Sequence, residues 1–235
     1  MAEVKNKKNV KKTRQENLNT NKVDSTKKER GNKNMVKLIG LVGTNSKKST
    51  NRQLLQYIQK HFAGKADIEL VEIKDLPLFN KPANKELPEG VKEIAAKIEA
   101  ADGVIISSPE YDHAVPASLM SAIAWLSYGI HPLLDKPVMI TGASYGTLGS
   151  SRAQLQLRQI LNAPEIKANV LPDEFLLSHS LQAFNPSGDL VDLDVIKKLD
   201  AIFDDFRIFV KITEKLRNAQ ELLRKDAEEF DWENL

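Results

Sequence analysis

Between Gly43 and Asn51 the chain reads Gly-Thr-Asn-Ser-Lys-Lys-Ser-Thr-Asn, a glycine followed by hydroxyl, amide and ammonium groups with no carboxylate among them. Such a stretch offers donors to an anion. Upstream, Val36 to Val42 is rich in β-branched and aliphatic residues without period-2 alternation, the pattern of a central parallel strand covered on both faces. Downstream, Leu54, Leu55, Ile58 and Phe62 fall at helical spacing, which puts Ser49, Thr50 and Asn51 at a helix N-terminus. Unpaired N–H groups and the positive end of the helix dipole favour a negative ligand there. A plain structural βα turn has the same outline, and the density of donors favours a phosphate cradle over it. Neither G-x-x-x-x-G-K-[ST] nor G-x-G-x-x-G is present, so any phosphate is held by another scheme.

Two further stretches carry chemistry. Ser108-Pro-Glu-Tyr-Asp-His-Ala-Val-Pro116 brackets an aromatic between prolines, and Gly142-Ala-Ser-Tyr-Gly-Thr-Leu-Gly149 lets backbone approach a planar ligand that Tyr145 could cover. All three stretches follow apolar runs. In a doubly wound sheet, ligands bind where the strands end, near the switch in strand order.

The elements that must position these loops alternate. Strands are predicted at Val36–Val42, Ile68–Ile73, Gly103–Ser108, Pro137–Gly142 and Ala168–Leu171, with helices following the first loop, over Glu89–Ala100, after Pro116 and over Ser150–Leu161. Ile196, Leu199, Ile202, Phe203, Phe206, Phe209, Val210 and Ile212 continue in helical register, and the charged stretch from Glu214 to Leu235 is expected to project as a helix. This alternation predicts an α/β fold with a five-stranded parallel sheet and helices on both faces.

Composition narrows the chemistry. No cysteine is present among the 235 residues, which excludes disulfides, thiolate metal sites and cysteine nucleophiles and fits a cytoplasmic protein. No apolar run approaches the length of a membrane helix. Residues 1–34 carry 11 Lys and Arg against 4 Asp and Glu, whereas residues 35–235 carry 23 against 28. The arm has too few apolar side chains to form a core and is read as disordered; a solvated tail, or a start upstream of Met35, is the simpler reading over nucleic-acid binding. The histidines show no ligand spacing, and no metal site is expected. His113 is read as a surface residue, with substrate contact as the sharper alternative.

Gly43-Thr-x-x-x-x-Ser49-x-Asn51, Pro109-Glu-Tyr-x-x-x-x-Pro116-x-x-Leu119 with Ala122 and Trp125, and Gly146-x-x-Gly149-x-x-Arg152-Ala-x-x-Gln156-Leu-Arg158 together resemble the NADPH-dependent FMN reductase family over about residues 35–209. That family is flavodoxin-like and includes flavin, quinone, chromate and azo-dye reductases. The resemblance implies FMN as cofactor, NADPH or NADH as co-substrate and a small electron acceptor. It also implies a binding set of Thr44, Ser46, Ser49, Thr50 and Asn51 at the phosphate, with Pro109, Glu110, Tyr111 and Asp112 along the ring and Ser144, Tyr145 and Gly146 at its other edge. No side-chain acid or base is implied, since the cofactor carries the chemistry. Arg152, Gln156 and Arg158 would serve structure or subunit contact. Members form dimers or tetramers, and Ala117, Met120, Ile123 and Ala124 are compatible with such an interface or with internal packing.

The chain also departs from the family. Ser46 stands where G-S-x-R has arginine, leaving Lys47 or Lys48 to supply charge; Asp112 replaces the usual asparagine; Met120 and Ser121 replace a lysine and an asparagine. A flavodoxin-like electron carrier and a non-catalytic flavin-binding regulatory module remain the alternatives. Domain boundaries are expected at residues 34/35 and 212/213.

Overall fold

The computed structural model describes residues 35–228, with side chains through Leu223. The basic arm of residues 1–34 and the last residues of the expected C-terminal helix lie outside the described residues.

Six strands, β1 (Val36–Val42), β2 (Ala66–Glu72), β3 (Gly103–Ser107), β4 (Pro137–Ala143), β5 (Asn169–Val170) and β6 (Phe175–Leu177), alternate with helices α1 (Thr50–His61), α2 (Glu89–Ala100), α3 (Ala117–Trp125), α4 (Ser151–Leu161) and α5 (Leu193–Glu228). All pairings are parallel, in the order β2-β1-β3-β4-β5, with β6 also on β4. This is the doubly wound parallel arrangement that the alternation predicts, in the flavodoxin-like form that the family resemblance implies.

Two differences from the sequence reading have local causes. Strand β2 begins at Ala66, two residues before Ile68, because its register with β1 pairs Val36 with Ala66. The fifth strand is split: β5 pairs with the start of β4 and β6 with its end. Pro172 lies in the gap and has no N–H to give a ladder.

The central strands are buried on both faces, which is why their sequence shows no alternation. Ile39, Leu41, Val104 and Ile106 pack on α2, α3 and α4 with Ile98, Leu119, Trp125 and Leu157. On the other face Leu38, Val42 and Ile105 meet Leu54 and Ile58 of α1 and Phe203 and Phe206 of α5. Phe62 stacks on Phe203 at 3.7 Å between ring centroids. Phe203 and Phe206 are thus core, as their helical spacing implies. The long helix runs unbroken through residue 212, and Thr213 is its last described buried side chain. Among the described residues no helix is long and apolar enough to cross a membrane.

Candidate active site

Order along the sheet reverses between β1 and β3, and the loops after β1, β3 and β4 meet at that edge. Gly43 is required by the approach: its N–H donates to the Ser107 carbonyl at 2.8 Å, and a Cβ would stand 2.6 Å from that oxygen. Ser49 then caps α1, its Oγ accepting from the Arg52 N–H at 3.3 Å.

These loops enclose a cavity of about 390 Å³ lined by Ser46, Lys48, Ser49, Thr50, Asn51, Pro109, Glu110, Tyr111, Ala143, Ser144, Tyr145 and Gly146. That volume lies within the range of small-molecule sites. The structure therefore brings together every site residue expected from sequence except Thr44 and Asp112, and adds Lys48 and Ala143. Thr44 is fully buried behind the wall, where its hydroxyl meets the Tyr111 hydroxyl at 3.3 Å and accepts from the Ser46 N–H at 3.2 Å. Asp112 sits at the tip of a tight turn closed by the Tyr111–Ala114 bridge, with Asp112 and His113 both at positive φ. Asp and Asn tolerate that conformation alike, so the carboxylate at residue 112 suits the turn and lies outside the cavity lining.

Side chains tie the loops together. Asn51, 2 % exposed, donates from Nδ2 to the Ala143 carbonyl and accepts at Oδ1 from the Ala143 N–H and the Ser107 hydroxyl, each at 2.9 Å. Its side chain is thereby committed to the sheet. Thr50 and Ser180 pair through their hydroxyls at 2.9 Å, and the N–H groups of His179 and Ser180 donate to the carbonyls of Gly146 and Ser144. The third loop is thus stitched to the segment after β6.

Glu110 joins the second loop to α4. Ser150, which precedes that helix, is left-handed and makes no cap bond. Glu110 Oε2 instead accepts the N–H groups of Arg152 at 2.9 Å and Ala153 at 3.2 Å. Burial pushes this carboxyl up, but the hydrogen bonds it accepts from the N–H groups of Ala153 and Arg152 and from the Arg152 side chain outweigh it and hold it below the usual carboxylate range. Arg152 Nη1 also donates to His113 Nδ1 at 2.7 Å, at the rim of the site. His113 is not part of the cavity lining. Val115 N–H donates to Gln156 Oε1 at 2.7 Å and Arg158 to the Leu171 carbonyl at 2.6 Å, so both α4 residues brace neighbouring segments.

The helix after Pro116 divides its apolar set. Ile123 and Trp125 are core, with Trp125 Nε1 donating to the Pro77 carbonyl at 2.8 Å, whereas Ala117 and Met120 are exposed. Ser121 Oγ accepts the Phe79 N–H at 2.8 Å and anchors the proline loop.

Sequence reasoning missed Arg52 and Glu72. Arg52 Nη1 donates to the carbonyls of Ser46 and Lys47, and Nη2 donates to Glu72 Oε2 at 2.8 Å. A charged residue in the first turn of an amphipathic helix reads as solvated surface, and nothing local marks a partner on the next strand.

The cavity suits a phosphorylated flat ligand. Among the described residues, the N–H groups of residues 47–51 have no acceptor, Lys48 adds a cation, and Tyr111 and Tyr145 flank the mouth. Comparison with known proteins agrees with this chemistry. The family model for NADPH-dependent FMN reductase matches residues 36–182. The NADH:(hydroxy)cinnamate reductase subunit CrdA of Vibrio ruber is 50% identical over 196 residues, which are 83% of this chain and 96% of that protein. The NADH-dependent flavin reductase subunit 2 of Lactobacillus johnsonii is 42% identical over 186 residues, covering 77% of this chain and all of the relative (100%). Among solved structures, the flavoenzyme NAD(P)H:(acceptor) oxidoreductase FerB from Paracoccus denitrificans superimposes with a TM-score of 0.68 at 27% identity, over 76% of this chain and 99% of that one.

Proposed function

Because this chain belongs to the NADPH-dependent FMN reductase family, we propose that FMN lies between its three loops, with the phosphate at residues 44–51 and the ring between Pro109–Tyr111 and Ser144–Gly146. The chain is an FMN-dependent oxidoreductase that takes electrons from NADH or NADPH and passes them to a small acceptor. One observation carries the assignment of the site: unpaired loop amides, a lysine and two tyrosines converge on a single cavity at the carboxyl ends of the strands.

When bound, the cofactor supplies the redox chemistry. The chain's own groups bind and orient: the loop amides and the hydroxyls of Ser49 and Thr50 receive the phosphate, and Pro109–Tyr111 and Ser144–Gly146 fix the ring plane. Tyr111 and Tyr145 are 48% and 61% exposed, so they wall an open mouth on which a planar acceptor stacks. A quinone, a free flavin or an azo compound fits such a mouth, and a metal compound could also be reduced there. No side chain is assigned a catalytic role.

The protein purified without added flavin and desalted is expected to show an FMN spectrum that bleaches within seconds when NADH or NADPH is added without oxygen. A colourless protein that FMN does not reconstitute would sink the assignment. Reduction by dithionite alone would make it an electron carrier.

The unit holding the site is residues 35–212, with 213–235 an extension; the described side chains from Glu214 to Leu223 are all exposed, which supports that division. The reductase works in the cytoplasm as a homodimer or homotetramer, and exposed Ala117 and Met120 beside the second loop favour association there. Two relatives are named as subunits, which supports a second reading, a mixed assembly. Light scattering of the purified chain separates the readings: a stable dimer or tetramer supports the first, and a monomer that gains mass only with another protein supports the second.

A further inference from the structure

The turn of the first loop has its carbonyls held by side chains. Arg52 Nη1 donates to the Ser46 carbonyl at 2.8 Å and the Lys47 carbonyl at 3.2 Å, while Ser46 Oγ donates to the Lys48 carbonyl at 2.8 Å. Glu72 holds the guanidinium in turn, and it ends β2 in register with Val42, the residue at which β1 gives way to the loop. The clamp therefore hangs from the sheet edge beside the loop. Arg52 is not among the residues lining the cavity, so it reaches the loop from outside that wall.

Peptide planarity gives this a consequence. In a trans peptide the carbonyl of one residue and the N–H of the next point in opposite directions. Drawing the carbonyls of Ser46 and Lys47 toward Arg52 turns the N–H groups of Lys47 and Lys48 away from it, and among the described residues neither has an acceptor. The guanidinium's charge is matched by Glu72, which its planar edge grips through Nε and Nη2 while Nη1 serves the carbonyls, a division that a single ammonium nitrogen does not reproduce.

We infer that the Arg52–Glu72 pair is the positioning device of the phosphate loop, holding two carbonyls back so that the following amides face the anion. This rests on the reading of the loop as the FMN phosphate site. It places a charged pair behind the loop in a chain that has Ser46, not arginine, within it.

The test compares FMN with riboflavin, which lacks the phosphate, as ligands of the full-length apoprotein. The wild type is expected to bind FMN more tightly. Arg52→Met and Arg52→Lys should each weaken FMN by about tenfold or more, the scale of hydrogen bonds to a charged group, and leave riboflavin unchanged. Glu72→Gln should shift FMN in the same direction by less, and the double variant Arg52→Met with Glu72→Gln should lose no more than Arg52→Met alone, because the two act as a unit. The apoprotein melting midpoint, recorded in parallel, reports structural damage, which would weaken both ligands together. Wild-type preference for FMN with an unchanged ratio in Arg52→Lys and Glu72→Gln overturns the inference alone. No preference for FMN in the wild type overturns the phosphate reading first, and the inference with it.

Discussion

Asn51 forms a two-way hydrogen bond with the backbone of Ala143, 92 residues away, accepting its N–H and donating to its carbonyl, each at 2.9 Å. A side-chain amide thus plays the part of one more strand residue at the end of β4, and it holds the start of α1 against the third loop. Asn51→Ala leaves the Ala143 N–H and carbonyl and the Ser107 hydroxyl buried without that partner. A loss of about 2 to 4 kcal/mol is expected on the scale of unsatisfied buried groups, read from urea unfolding. Asn51→Asp should cost at least as much, because a carboxylate cannot donate to the Ala143 carbonyl.

Glu110 makes the stability acid-sensitive. Its folded-state pKa is depressed, so its contribution is complete above the ordinary carboxylate value of about 4.3 and is lost as pH falls through the lower folded value. Glu110→Gln weakens the cap on α4 and should cost about 1 kcal/mol at pH 7. The gap between wild type and variant should narrow as the solution is acidified below about pH 4. A gap that stays constant with pH would show that Glu110 is not tied to the α4 amides in solution.

Lys136 should act in the opposite window. Its Nζ donates to the carbonyls of Glu99 at 3.2 Å and Ala101 at 2.7 Å, closing the C-terminal end of α2. Burial, with Arg217 adding to it, pushes its pKa down. Between that lowered value and the ordinary lysine value of about 10.4, the unfolded chain binds more protons, so this group makes stability rise with pH there. The advantage of wild type over Lys136→Met is therefore expected to widen through the alkaline range in denaturant titrations. A flat difference would contradict a buried, destabilised ammonium.

Two glycines should separate fold from site. At Gly43 an added Cβ meets the Ser107 carbonyl at 2.6 Å and the Leu119 side chain at 3.0 Å, whereas at Gly146 it meets nothing within 4 Å. Gly43→Ala is expected to destabilise the protein by about 1 to 3 kcal/mol, the range for overpacking. Gly146→Val should leave the melting midpoint close to wild type while weakening flavin binding, because Gly146 lines the cavity. Equal flavin affinity in Gly146→Val would remove the third loop from the binding wall.

The sheet and the family were legible in the residues, because each is written in local pattern. Apolar runs that end at Gly43, Ser108 and Gly142 mark strands buried on both faces, and helical spacing after each marks the crossover. What the sequence by itself could not assign was the work of the polar side chains. Glu110, which the resemblance places along the ring, also caps α4; Asn51, which it places at the phosphate, also binds Ala143; Arg52, given no role from sequence, clamps the first loop through Glu72. Even the fifth strand was legible only in part, since Pro172 splits it into pieces that meet opposite ends of β4. The physical reason is common to these cases. Hydrophobic periodicity is set by neighbours within a turn or a pleat, whereas a hydrogen bond between residues 20 to 92 positions apart exists only after the strand order has brought their backbones together.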